Sequence, residues 1–142
     1  ASISKTITGN TLTIKSTWLA GTTYTINIPT NAINGLNPFT STFITVNPTI
    51  TTINPNNDAT NIPTNQTITI TFNNPIAAGS AYNSISVTQG TTKASISISM
   101  SGNTLTLKPT KGWLPGLTYT INLPADAVKG LTTPYTSIFK TT

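Results

Sequence analysis

Thr67-Ile68-Thr69-Ile70-Thr71-Phe72 alternates hydroxyl-bearing and apolar residues without a fault. Successive side chains of an extended chain point to opposite faces, so this run puts Ile68, Ile70 and Phe72 on one face and three threonines on the other. That is the signature of a half-buried strand. The alternation recurs in Ser84-Ile85-Ser86-Val87-Thr88, in Ser95-Ile96-Ser97-Ile98-Ser99-Met100 and in Tyr119-Thr120-Ile121-Asn122-Leu123. Threonine suits the solvent face of a pleated sheet, because branching at Cβ favours extended backbone while the hydroxyl stays wet. Gly9-Asn10 and Gly102-Asn103 each separate two alternating runs, the pattern of a two-residue hairpin loop with glycine at its first central position. Longer loops are marked by Pro and Asn clusters such as Asn54-Pro55-Asn56-Asn57-Asp58. No window of a dozen residues spaces its apolar positions by three and four, apart from weak turns near Ala32-Ile33 and Ala125 to Val128. The pattern predicts an all-β antiparallel sandwich of about eleven strands.

The chain also repeats itself. Gly9-Asn10-Thr11-Leu12-Thr13-Ile14-Lys15 returns as Gly102-Asn103-Thr104-Leu105-Thr106-Leu107-Lys108, and Trp18-Leu19-Ala20-Gly21-Thr22-Thr23-Tyr24-Thr25-Ile26-Asn27-Ile28-Pro29 returns as Trp113-Leu114-Pro115-Gly116-Leu117-Thr118-Tyr119-Thr120-Ile121-Asn122-Leu123-Pro124. Pro38-Phe39-Thr40-Ser41 matches Pro134-Tyr135-Thr136-Ser137. The second copy carries a stretch from about Pro48 to Ala94 that the first lacks. This predicts two units: residues 1–46, the C-terminal half of a repeat, and residues 47–142, a complete sandwich. A half-sandwich of that size has an apolar face without a partner sheet and seldom buries enough to stand alone. Ile14, Trp18, Tyr24, Ile26, Ile28 and Phe43 form the expected assembly face, to be covered by another chain, by the neighbouring unit or by a further segment.

Composition removes most chemistry. Of 142 residues only 6% are charged, against roughly 25% in average soluble proteins, and the carboxylates are Asp58 and Asp126 alone. With no Cys and no His there is no zinc site, no Ser-His-Asp or Cys-His nucleophile and no glutamate acid/base pair. The expectation is a non-enzyme with no catalytic residues, no cofactor and no metal. The net charge of +5 comes from lysines dispersed along the chain, which argues against nucleic acid and fits solubility with some attraction to anionic cell-wall glycans. No run approaches the roughly 20 apolar residues that span a bilayer, so membrane insertion is not expected. The chain starts at Ala1 rather than Met, which reads as a processed form or a fragment.

Pro55-Asn56-Asn57-Asp58-Ala59-Thr60-Asn61-Ile62-Pro63-Thr64-Asn65-Gln66 and the strand that follows resemble the opening of prokaryotic Ig-like domains of S-layer proteins and tandem-repeat surface adhesins. The Gly-Asn-Thr-Leu-Thr-Leu hairpin, Leu114-Pro115-Gly116-Leu117-Thr118-Tyr119 and Ser137-Ile138-Phe139-Lys140-Thr141 are similar to later parts of that family. Departures are Asp58 where Gly is usual, Asn73-Asn74 in place of an acidic step, and a shortened loop at Ala127 to Leu131, which leave little of a calcium site. The resemblance implies an Ig-like β-sandwich at an extracellular cell surface, acting as spacer, adhesin stalk, S-layer or filament component, with self-association into homo-oligomers or filaments. Tyr24 and Tyr119 stand where a tyrosine corner anchors its hydroxyl to backbone. A rival reading is a carbohydrate- or host-binding module with Trp113 and Tyr119 as glycan-stacking groups. Asn65-Gln66-Thr67 is a glycosylation sequon placing a candidate glycan on Asn65.

Overall fold

The computed structural model describes residues 2–142. They form thirteen strands: β1 (Ser4–Thr8), β2 (Thr11–Lys15), β3 (Thr23–Ile28), β4 (Phe39–Ile44), β5 (Ile50–Asn54), β6 (Ala59–Ile62), β7 (Ile68–Phe72), β8 (Ser86–Gln89), β9 (Thr92–Lys93), β10 (Ile96–Ser101), β11 (Thr104–Pro109), β12 (Thr118–Leu123) and β13 (Tyr135–Thr141). The only helical piece among them is one 3₁₀ turn at Tyr82–Ser84. The count exceeds eleven because elements as short as β6 and β9 are too brief to show alternation and pair instead through their neighbours' edges.

From residue 48 onward two sheets face each other. One runs in the order β10-β11-β7-β5 and the other β6-β13-β12-β8-β9. All pairings are antiparallel except β6 with β13, which is parallel. The inward faces are those the alternation assigns: Ile68, Ile70 and Phe72 from β7, Leu105 and Leu107 from β11, and Tyr119, Ile121 and Leu123 from β12 are all buried in one cluster. A fully buried Leu, Ile or Phe stabilises by about 1.5–3 kcal/mol relative to exposure, so this cluster is what orders the unit.

Residues 4–44 behave differently. They give two separate hairpins, β1-β2 and β3-β4, each a two-stranded sheet. Both hairpin loops anticipated at Gly9-Asn10 and Gly102-Asn103 are present, closing the pairs Thr8↔Thr11 and Ser101↔Thr104. Gly9 and Gly102 have φ of 59° and 56°, and their asparagines do not share the left-handed conformation, as a type II′ turn demands. The weak turns at Ala32-Ile33 and Ala125 to Val128 are tight turns closed by Leu36 N–H to the Ile33 carbonyl and Leu131 N–H to the Val128 carbonyl.

Candidate assembly site

The two copies share a corner that matches bond for bond. In the first, the Leu19 N–H donates to the Tyr24 hydroxyl (3.0 Å), and the Thr45 hydroxyl donates to the Leu19 carbonyl (2.6 Å) while accepting from the Thr22 N–H (2.9 Å). In the second, Leu114 N–H to Tyr119 (2.8 Å), Thr141 to the Leu114 carbonyl (2.7 Å) and Leu117 N–H to Thr141 (3.0 Å) reproduce it. The tyrosine corners are therefore real in both copies. Ring packing repeats as well: Trp18 lies 4.9 Å from Tyr24 and 5.2 Å from Phe43, and Trp113 lies 5.1 Å from Tyr119 and 5.5 Å from Phe139, centroid to centroid.

Burial is where the copies part. Trp113 and Tyr119 are 3% and 4% exposed, and the Trp113 indole N–H donates to the Gln66 carbonyl at 2.8 Å. Neither ring keeps a face for a sugar, so the geometry places Trp113 and Tyr119 in packing rather than glycan stacking. Ile14, Trp18, Tyr24, Ile26, Ile28 and Phe43, the expected assembly face, are each only half-buried. The structure divides them. Trp18, Tyr24 and Phe43 pack on one another at the corner, whereas Ile14 and Ile28 line an open cleft of about 470 Å³ together with Ile3, Ile7, Leu12 and Ile33. Ile33 is 39% exposed; its counterpart Val128 is fully buried. Leu12 and Ile33 were not part of the expected face, although each sits at a repeat position equivalent to a core residue.

A second feature escaped the sequence altogether. The Ala20-Gly21 corner of the first copy docks on the far end of the sandwich, where the Ala20 N–H donates to the Pro75 carbonyl at 2.7 Å and Ala20 is buried. A Cβ on Gly21 would lie 2.7 Å from the Lys129 carbonyl oxygen and 2.8 Å from the Gly130 Cα, and one on Gly130 would lie 2.8 Å from the Gly21 Cα. Two backbones thus meet with no room for a side chain. Nothing in one sequence pairs Gly21 with Gly130; each reads singly as a turn glycine.

The two carboxylates serve separate loops. Asp126 accepts from the Ser80 hydroxyl (2.6 Å), the Ser80 N–H (2.8 Å) and the Gly130 N–H (3.3 Å), tying the β12–β13 loop to the one after β7. The Ser80 hydroxyl first, then the two amides, hold its carboxyl below the usual carboxylate range, with Lys129 adding a smaller attraction. A depressed folded-state pKa contributes stability that is present above the unfolded value of about 3.9 and fades as pH falls through the folded one. The stability difference between the parent chain and Asp126→Asn is therefore expected to hold from pH 7 to 5 and to shrink below pH 4 in urea titrations. A difference independent of pH would show that the carboxylate charge is not what matters. Asp58 instead accepts from the Asn57 side chain at 3.1 Å, on the loop before β6. Asn65 is exposed in the turn between β6 and β7. A groove of about 590 Å³ between β5 and the segment before β13, lined by threonines, Pro48 and Tyr135, carries no charged group. No helix among the described residues is long and apolar enough to cross a membrane.

The sequence pattern described as a bacterial Ig-like domain matches residues 44–141. The chain belongs to the bacterial Ig-like domain family. Solved structures similar to this Ig-like chain include the N-terminal part of the bacterial S-layer protein SbsC, at 20% identity and a TM-score of 0.46 over 68% of this chain and 24% of that one. L,D-transpeptidase 3 from Mycobacterium tuberculosis follows, at 15% identity and a TM-score of 0.43 over 65% and 36%. An L,D-transpeptidase from Mycobacterium tuberculosis H37Rv is similar at 16% identity and 0.43 over 65% and 39%. The Ig-like chain spans well under half the length of each, and the likeness is one of fold. No curated protein sequence matches it.

Proposed function

We propose that this Ig-like chain is a non-catalytic structural segment of an extracellular, cell-surface protein, a building block of a filament, S-layer or adhesin stalk that self-associates or runs in series. One observation carries the reading: the chain enters the sandwich at one end and leaves it at the other. It arrives at Pro48 beside Gly130, beyond the end of β12, and leaves at Thr142, whose carbonyl accepts from Gly116 ahead of β12. The six-residue β12 separates the two points by roughly 20 Å. Units joined this way extend along one axis, and the Gly21–Gly130 contact fixes the angle between successive units. Residues 1–46, in this reading, are an incomplete repeat completed by another chain or a further segment. The threonine-rich surface, charged mainly by dispersed lysines, and an exposed Asn65 open to glycosylation suit an exterior location.

Immunogold labelling of intact cells that make the protein, with antibody against residues 48–142, tests this. Label on the outer surface, in rows or along filaments, is expected; label seen only after cells are ruptured would overturn it. A hydrolytic activity abolished by Asp126→Asn would overturn the non-catalytic part.

A further inference from the structure

The same chain shows what covers this apolar face when it is covered. In residues 47–142 the hairpins β10-β11 and β12-β13 are closed by the segment carrying β5 to β9. β7 pairs β11 with Thr71, Ile70, Thr69 and Ile68 opposite Thr104, Leu105, Thr106 and Leu107. β8 pairs β12 with Val87 opposite Ile121, and β6 pairs β13 with Ala59 opposite Phe139. In residues 2–46 the corresponding edges of β2, β3 and β4 have no strand beside them. The end groups repeat too. The Asn103 carbonyl and amide clasp the Phe72 peptide at 2.8 and 3.0 Å, and the Gly102 carbonyl accepts from Ile76. The Gly9-Asn10 turn presents the same three groups, and the Trp18 indole N–H stands where Trp113 reaches the Gln66 carbonyl. Gly9 and Asn10 are exposed and Trp18 half-exposed, so these groups lie at the surface, where an incoming strand can pair with them.

We propose that residues 2–46 bind a β-segment of the same type as residues 47–93, held in the register that β5 to β9 hold against β10 to β13, with its C-terminal end abutting Ser2. This rests on reading residues 1–46 as an incomplete repeat. The occupant is uncharged along its inward face, alternates Ile or Val with Thr or Ser, sets a Leu- or Ile-sized residue opposite Leu12 and Ile14, and carries a Gln66-type carbonyl for Trp18. Its position follows from the repeat: Ala94-Ser95-Ile96-Ser97 is identical to Ala1-Ser2-Ile3-Ser4, and β9 ends at Lys93, directly before it. A second copy does not supply the occupant by exchange. Residues 1–142 hold two segments of the 1–46 type and one of the 47–93 type, which β10 to β13 engage, so exchange of that segment between two copies of residues 1–142 leaves one face open. Lys5 marks the one charged departure, standing where Ile98 packs against the core. It lies on β1, whose counterpart β10 is the outermost strand of its sheet, so its amine reaches water past the occupant. A lysine on an edge also discourages unspecific strand pairing.

The test places residues 47–93 directly before residue 1 of the intact chain. Amides of β2 and β3 in the fusion are expected to gain about 100-fold or more in hydrogen-exchange protection over the parent chain, and the Trp18 indole proton to become as protected as that of Trp113. Ile26→Asp in the fusion should abolish the gain. In a second arm the peptide 47–93 is added to the intact parent chain, and the same amides should gain protection at a 1:1 ratio. Unchanged exchange in both arms overturns the proposal. So does a parent chain that sediments as a dimer with β2 and β3 already protected, since a second copy would then cover the face. Either failure leaves the surface-labelling result standing, which separates this proposal from the reading it rests on.

Discussion

Trp113→Ala is expected to lower the unfolding free energy of residues 48–142 by about 3–5 kcal/mol, the usual range for removing a buried aromatic, whereas Trp18→Ala should leave that unit within about 0.5 kcal/mol of the parent. The two tryptophans occupy the same repeat position and each packs on its own copy's tyrosine and phenylalanine, Tyr24 and Phe43 for Trp18, Tyr119 and Phe139 for Trp113. What differs is the cover. Trp113 is packed on by the buried residues of the sandwich and bonded to the Gln66 carbonyl, so its removal leaves a cavity and an unpaired acceptor. Trp18 is half-exposed, so much of its apolar area is already in water and contributes little. Urea titration of both variants, followed by far-ultraviolet circular dichroism and by amide exchange in β7, β11 and β12, gives the comparison. Equal losses would mean that the two copies are equally closed, contrary to the open cleft beside β1 and β3.

How much of this was legible beforehand depends on whether the information is local or lies between segments. Strand identity and facing follow from period two, and Ile68, Ile70, Phe72, Leu105 and Leu107 are buried as their alternation requires. The hairpin turns at Gly9 and Gly102 follow from the need for a positive φ at one residue. The tyrosine corner was legible because Tyr24 and Tyr119 hold the same place in both copies, at the entry to an alternating strand; its donors, Leu19 and Leu114, were not. The strand count fell short at β6 and β9, whose edges take their pairing from β13 and β8 rather than from any pattern of their own. The six residues of the expected face are half-buried, and Leu12 and Ile33 stand beside two of them in the open cleft, at repeat positions whose counterparts Leu105 and Val128 are buried. Trp113 and Tyr119 were open to a surface role because an aromatic near a turn looks alike in sequence whether its face is wet or covered. The contact of Gly21 with Gly130 was invisible, since it depends on how one unit sits on the next.

That contact yields the other large effect. Gly21→Val is expected to unseat residues 2–46 from the sandwich while leaving the sandwich itself folded. A valine there meets two penalties. Its backbone must hold φ near 57°, which costs a side-chain-bearing residue about 1–2 kcal/mol. Its Cβ would also press on the Lys129 carbonyl and the Gly130 Cα, backbone atoms that cannot swing aside as a flexible side chain would. Separation of the units relieves the second penalty at the expense of the Ala20–Pro75 hydrogen bond, worth about 1 kcal/mol. Gly116→Val supplies the control, because Gly116 is the repeat counterpart, has φ of 72° and has nothing within 4 Å of its would-be Cβ. Since the chain has no cysteine, a spin-label pair at Thr42→Cys and Lys93→Cys, both exposed, reports on the joint alone. A narrow distance distribution in the parent and in Gly116→Val, and a broad one in Gly21→Val, would mark the glycine pair as the element that sets the angle between units. A distribution equally narrow in all three would mean that the joint is held elsewhere. The counterpart of Ala20 is Pro115, which has no N–H to offer, so this bond is not repeated at the Gly116 end, and a joint formed there would rest on other contacts.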